Sequence, residues 1–200
     1  MIDTKEKILK TALDLFAADG YEAVSVSTIA GRLGMAKSAL YKHYKNKRDI
    51  FDSILKRMEE LDCLRAEEYA VPSAPLEEMP DVYRQTALED IKKFTIAQFE
   101  YWTEDEFASA FRKMLTLEQY RSEEMSCLYQ QYLAGGPVGY MADLFDSICG
   151  TNNGRELALA YYGPMYLLYY VYDGAEDKSQ VKEQLKAHLE LFMENLKKTI

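Results

Sequence analysis

Between Arg32 and Arg48 the chain places six cations, Arg32, Lys37, Lys42, Lys45, Lys47 and Arg48, without a single acid, and interleaves them with Ser38, Tyr41, His43 and Tyr44. Lysine can donate to guanine edges, and lysine, serine, tyrosine and histidine side chains can hold phosphate oxygens. These residue types in one short stretch point to a nucleic acid. The charge of the rest of the chain sharpens the reading. The whole sequence has 24 Lys and Arg against 33 Asp and Glu, a formal net charge of -9. Eleven of the bases but only seven of the acids lie between Met1 and Arg57, which leaves thirteen bases and twenty-six acids for the remainder. A basic head on an acidic body is the layout expected when only the head meets phosphate.

Other reactive chemistry is sparse. The chain has 2 histidines. His43 sits within the cationic stretch, and His188 has only ordinary acids near it in sequence. No nucleophile-elbow, phosphate-loop, zincin or dinucleotide spacing occurs. Glu104, Asp105 and Glu106 read as the acidic first turn of a helix rather than as a catalytic pair. Cys63, Cys127 and Cys149 are widely separated and odd in number, so they read as reduced thiols in a cytoplasmic protein. No cofactor, no metal and no catalytic residue is expected, and an enzyme is not the leading class.

The elements that must position the cationic stretch are legible from periodicity. Ile8, Leu9, Ala12, Leu13, Leu15 and Phe16 form a helical stripe over Thr4 to Asp19, ended by Gly20. Ser25 is an N-cap for a second, two-turn helix whose Ile29, Ala30 and Leu33 share one face, with Gly34 at the turn. A third helix follows, in which Ala36, Leu40 and Tyr44 recur every four residues and would face the core while Lys37, Ser38, Tyr41, Lys42 and Lys45 point elsewhere. Asn46 breaks it. A fourth helix is expected over Arg48 to Tyr69, with Ile50, Phe51, Ile54, Leu55, Met58, Leu61 and Leu64 as apolar positions.

Three of the five prolines mark Val71 to Pro80 as a loop. Helices are then expected over about Val82 to Trp102, from near Glu104 with Thr103 as its cap, over Ser122 to Leu133 ending at the Gly135, Gly136, Pro137 cluster, and over Val138 to Cys149. After a turn at Asn152 to Gly154, the last two span about Arg155 to Tyr172 and Ser179 to Lys198. No strand pattern competes. Leu157 to Tyr172 is the longest apolar run, shorter than the roughly 20 residues of a bilayer-spanning helix, and it reads as a buried helix. The first residues lack the apolar core of a signal peptide.

Two short helices joined at Gly34, the second with a cationic outer face, make a helix-turn-helix. Here the sequence resembles the tetracycline-repressor family of regulators, from about Ile8 to Phe51. The resemblance rests on Gly20 and Tyr21, Ser25-Val26, Ile29-Ala30, Gly34, the run Leu40-Tyr41-Lys42-His43-Tyr44, and Lys47 followed by Asp49-Ile50-Phe51. It implies that Ser25 and Ser27 lie near the DNA backbone, that Ala36, Lys37, Ser38 and Lys42 face the groove, and that Tyr41, His43 and Lys47 grip phosphate. Ser38 stands where a glycine is frequent, and Tyr44 where phenylalanine is usual.

The expected fold is therefore all-α: a three-helix DNA-binding domain over 1-47 and a helical effector-binding and dimerisation domain over 48-200. The body is rich in aromatics, which could be either core or the lining of a mostly apolar pocket. Trp102, Phe111, Met114, Tyr129 and Tyr166 are the candidate ligand-binding residues, for a small hydrophobic or aromatic effector. The last two helices resemble the family's dimerisation element and need a partner surface. The implied function is a repressor bound as a homodimer to pseudo-palindromic operator DNA and released by an effector. The alternative is a regulator of the same fold controlled by a protein partner or constitutive.

Overall fold

A computed structural model describes residues 3–69, 83, 88–150 and 152–198. Among the described residues the fold is all-α, with α1 Thr4–Asp19, α2 Val26–Arg32, α3 Lys37–Leu40, α4 Lys47–Glu68, α5 Leu88–Glu104, α6 Glu106–Glu118, α7 Glu123–Leu133, α8 Gly135–Cys149, α9 Gly154–Gly174 and α10 Lys178–Lys197. The loop expected over Val71 to Pro80, and the start of the helix expected from Val82, lie outside the described residues.

The chain divides into two compact units, 1–69 with 105–129 and 70–104 with 130–200. In the first, the α1 stripe does what its spacing dictates: Ile8, Leu9, Ala12, Leu13 and Phe16 are buried. They share a core with Ile29 and Ala30 of α2, Leu40 of α3, and Ile50, Phe51, Ile54 and Met58 of α4. Helix α6 packs extensively along α1 and buries Phe107, Ala108, Phe111, Met114 and Leu115.

The second unit is organised around α9, which packs against α8, α10 and α5. Phe99 and Tyr169 stack with ring centres 5.3 Å apart, and Tyr161 meets both Phe145 and Phe192 edge to face, while those two rings are tilted against each other. Buried hydroxyls are paired, as the low dielectric demands. Thr95 and Tyr161 share a hydrogen bond of 2.7 Å, and Tyr162 donates to the Leu133 carbonyl at 2.8 Å. The His188 Nε2 lies 3.0 Å from the carbonyl oxygen of Tyr161, a contact in which the ring must donate. Among the described residues no helix is long and apolar enough to cross a membrane.

Several local expectations are corrected. Thr103 is not a cap: its hydroxyl donates to the carbonyl of Phe99 at 2.7 Å, inside α5. The next helix starts at Glu106, not Glu104, because Asp105 accepts the N–H of Ala108 at 2.8 Å and is the better capping acceptor. The Gly135, Gly136, Pro137 cluster does not separate α8 from its start but forms its first turn, where a missing proline N–H costs no helical bond. Leu64, an expected apolar position of α4, is 59% exposed.

Candidate nucleic-acid interface

The cationic stretch is built on a rigid base. Ser25 Oγ accepts the N–H of Thr28 at 3.0 Å and starts α2. The helix ends in a Schellman pair, with Gly34 N–H donating to Gly31 and Met35 N–H donating to Ala30. That motif requires a left-handed residue, and Gly34 supplies it with φ +65°. The chain is thereby turned sharply into α3.

Helix α3 is shorter than the periodicity suggests. Its α-helical part covers Lys37–Leu40, and the chain continues to Tyr44 through tighter bonds, with Lys42 N–H donating to Ala39 and His43 N–H to Leu40. Two side chains anchor it. Leu40 is fully buried and Tyr44 nearly so, and the Tyr44 hydroxyl donates to the Lys5 carbonyl of α1 at 3.2 Å. Burial and the neighbouring carboxylates of Glu6, Asp49 and Asp3 push that phenol up to about 12. Tyrosine in place of phenylalanine here keeps the core and adds a tie to α1. Ala36, expected on the core face with them, is instead exposed and caps α3.

The anchors leave the opposite side to solvent. Ser25, Ser27, Ala36, Lys37, Ser38 and Lys42 are exposed, and His43 is half-buried. Tyr41 is 45% exposed, with the Lys37 ammonium 5.8 Å from its ring centre. Tyr41 therefore does not fill the core of this unit, and its hydroxyl and ring are open to solvent beside Lys37. Lys47 is differently disposed from the other lysines. Its Nζ donates to the Tyr21 carbonyl at 2.8 Å and stands 3.8 Å from a Glu22 carboxylate oxygen. Its charge is directed at the α1–α2 turn.

Asn46 and Asp49 frame the start of α4 reciprocally. Asn46 Oδ1 accepts the Asp49 N–H at 2.9 Å, and Asp49 Oδ2 accepts the Lys45 N–H at 2.8 Å, an arrangement akin to a capping box. Beside them Arg48 makes a bidentate pair with Glu124 of α7, at 2.8 and 2.6 Å, and bonds Asp52 at 2.7 Å. The guanidinium in turn holds the Glu124 carboxyl below its ordinary value. Sequence reading missed Glu124, and also Glu118, whose buried carboxylate accepts the Tyr21 N–H at 3.1 Å. No local signal marked either pairing, since the partners lie 97 and 76 positions apart in the chain.

The candidate effector residues fall in both units. Phe111 and Met114 lie one turn apart on α6, each fully buried, and Tyr129 follows on α7. Trp102, buried beside Tyr101, and Tyr166, half-buried, belong to the second unit. The Tyr166 ring lies between those of Tyr162 and Tyr170 along α9. Among the described residues, no three or more His, Cys, Asp or Glu side chains are gathered to hold a metal ion.

Residues 8–54 match the model of the bacterial regulatory proteins, tetR family. A curated relative, the class C tetracycline repressor protein of Escherichia coli, is 39% identical over 54 residues, which cover 27% of this chain and 25% of that protein. The chain thus matches about a quarter of that relative's length, all of it accounted for by a short segment. The fold of the whole chain is shared more widely. A transcriptional regulator from Aquifex aeolicus VF5 superposes with a TM-score of 0.65 at 21% identity, over 94% of this chain and 99% of that one. SmeT, the repressor of a Stenotrophomonas maltophilia multidrug efflux pump, superposes in its triclosan complex with a TM-score of 0.66 at 17% identity, over 96% and 90% of the two chains.

Proposed function

We infer, from the premise that this chain carries the N-terminal domain of the tetR family, that it is a sequence-specific DNA-binding regulator of transcription acting as a repressor. The observation that carries the reading is the division of α3 and its continuation into a buried edge, Leu40 and Tyr44, and a solvent edge bearing Lys37, Ser38, Tyr41 and Lys42. Residues 1-47 would form the DNA-reading head and 48-200 the effector-binding and dimerisation body. Lys37, Ser38 and Ala36 would enter the major groove, with Lys42 beside them, while Tyr41, His43, Ser25 and Ser27 hold phosphate. Lys47 would grip phosphate as well, from a position where it also ties the turn that leads into α2.

A homodimer is part of the proposal. Leu159, Gly163, Leu167 and Val171 follow one another every four residues along α9 and all are exposed, as is Leu191 on α10. An apolar row of that kind on two adjacent helices suits a second copy of the same surface. Two-fold pairing would present the two copies of α3 to successive major grooves, roughly 34 to 36 Å apart, on a pseudo-palindromic operator.

Release by a small hydrophobic or aromatic effector completes the reading. It is supported by the family premise and by a structural neighbour that binds triclosan. Trp102, Phe111, Met114, Tyr129 and Tyr166 are its proposed contacts, and the effector must bind the released state more tightly than the DNA-bound one. The complete burial of Phe111 and Met114 favours a second reading, in which the aromatics fill the interior themselves and control comes from a protein partner or is absent.

The test is selection of duplexes from a random DNA pool by the purified full-length protein. Enrichment of a two-fold symmetric motif is the expected result. No enrichment over unselected duplex would rule the reading out.

A further inference from the structure

The turn between α1 and α2 is held by groups that lie outside the helix-turn-helix. Glu118, the last residue of α6, is 2% exposed, and its Oε1 accepts the backbone N–H of Tyr21 from 97 positions along the chain. A carboxylate taken out of water is costly unless its partner is fixed, so the pairing constrains both ends. The approach is close: a Cβ on Gly20 would stand 2.6 Å from that same oxygen. Gly20 also has φ +86°, where a side chain is strained. The turn is therefore shaped to receive the carboxylate.

The same residue is gripped from its other end. Lys47 donates to the Tyr21 carbonyl, and the Tyr21 ring packs 5.1 Å from both Phe16 and Phe51. Three residues after Tyr21 the chain reaches Val24, and then Ser25, which starts α2. Tyr21 thus lies four residues before the N-cap of α2, the helix that leads into α3. The Arg48–Glu124 pair makes a second link between 105–129 and the start of α4.

We propose that Glu118 is a positioning residue for DNA binding: by holding the Tyr21 peptide it sets the orientation of α2 and α3, and DNA binding is felt at α6 through this carboxylate. The proposal rests on the DNA-binding reading above. Its physical basis is reciprocity, since a contact that orients the head for DNA must respond when DNA orients the head.

Hydrogen exchange on the full-length protein, with and without the duplex selected from the random pool, tests it in the unaltered protein, in Glu118→Gln and in Glu118→Ala. In the unaltered protein the duplex slows exchange over residues 106–118 as well as over α2 and α3. Glu118→Ala loses the response over 106–118 and binds the duplex about tenfold more weakly, the scale of a lost charge-assisted hydrogen bond. Glu118→Gln, whose amide oxygen still accepts the Tyr21 N–H, restores most of both. An unaltered protein with no duplex-dependent change over 106–118 overturns the proposal whether or not either variant folds. A folded Glu118→Ala with its response intact, or with affinity within twofold, overturns it too. Failure of the pool to yield any duplex would strike the DNA-binding reading first, before Glu118 is altered, and the positioning role with it.

Discussion

The ammonium of Lys47 donates to the carbonyl of Tyr21 at 2.8 Å and lies 4.2 Å from the centre of the same residue's ring. One cation of the basic stretch thus serves the fold as well as the surface, and it separates two lysines that sequence alone treats alike. Lys37→Ala is expected to leave thermal stability unchanged and to relax base preference. Lys47→Ala should cost about 1 kcal/mol in stability, weaken binding to all sequences and flatten the salt dependence. Thermal melts and binding titrations across salt check this pair. Equal effects from both would show the assignment of faces to be wrong.

Leu40 is the fully buried anchor of a helix of four residues. So short a helix has little stability of its own and depends on this contact. Leu40→Ala should lower unfolding free energy by about 3 kcal/mol and abolish binding to the selected duplex at temperatures where α1 is still helical. Circular dichroism melts paired with a mobility shift measure both.

The exposed row on α9 gives a test of association. Leu167→Glu combined with Leu159→Glu should convert a dimer to a monomer in sedimentation velocity with helical content retained, because both side chains stand in solvent within one chain. Affinity for a symmetric duplex should fall at least tenfold, since two heads no longer act together. An unchanged sedimentation coefficient would place the pairing surface elsewhere.

Asp62 supplies a pH dependence. Burial pushes its carboxyl up to about 6, with Glu59 adding to the rise and Arg65 opposing it. The folded state therefore favours the neutral acid, and the stability this gives is fully present below 3.8, the ordinary value, and lost as pH rises to about 6. Asp62→Asn removes the ionisation. It should melt higher than the unaltered protein at pH 7.5, by about 1 kcal/mol after allowance for solvent, and the difference should vanish near pH 4. Glu104 and Glu124, both held below their ordinary values by cationic partners, destabilise on acidification instead, but equally in both proteins, so they cancel in the comparison.

Much of the head could be read from local chemistry. The α1 stripe, the Ser25 cap and the Gly34 turn each depend on residues within a few positions of one another, and the structure has all three as expected. Short-range competition explains one miss, and tertiary contacts explain the others. Threonine and aspartate are both favoured capping types, and nothing in the spacing of Thr103 and Asp105 reveals that the threonine hydroxyl turns back to Phe99. The tighter turns after Leu40 are set by the need to bury Tyr44 against α1, a tertiary demand. Glu118 was illegible for the same reason. Its partner is a backbone amide 97 positions away, and periodicity marks side-chain faces without showing which distant peptide an acid will meet.

The central claim is that α3 enters the major groove with Lys37 and its neighbours against base edges. Dimethyl sulfate footprinting of the selected duplex tests it most directly, because the reagent methylates guanine N7 in the major groove and adenine N3 in the minor groove. The account predicts that bound protein protects guanine N7 in two symmetric clusters about one helical turn, ~10 base pairs, apart, and that Lys37→Ala lifts protection at the same guanine in each cluster. Protection confined to adenine N3, or guanine protection indifferent to Lys37, would contradict it.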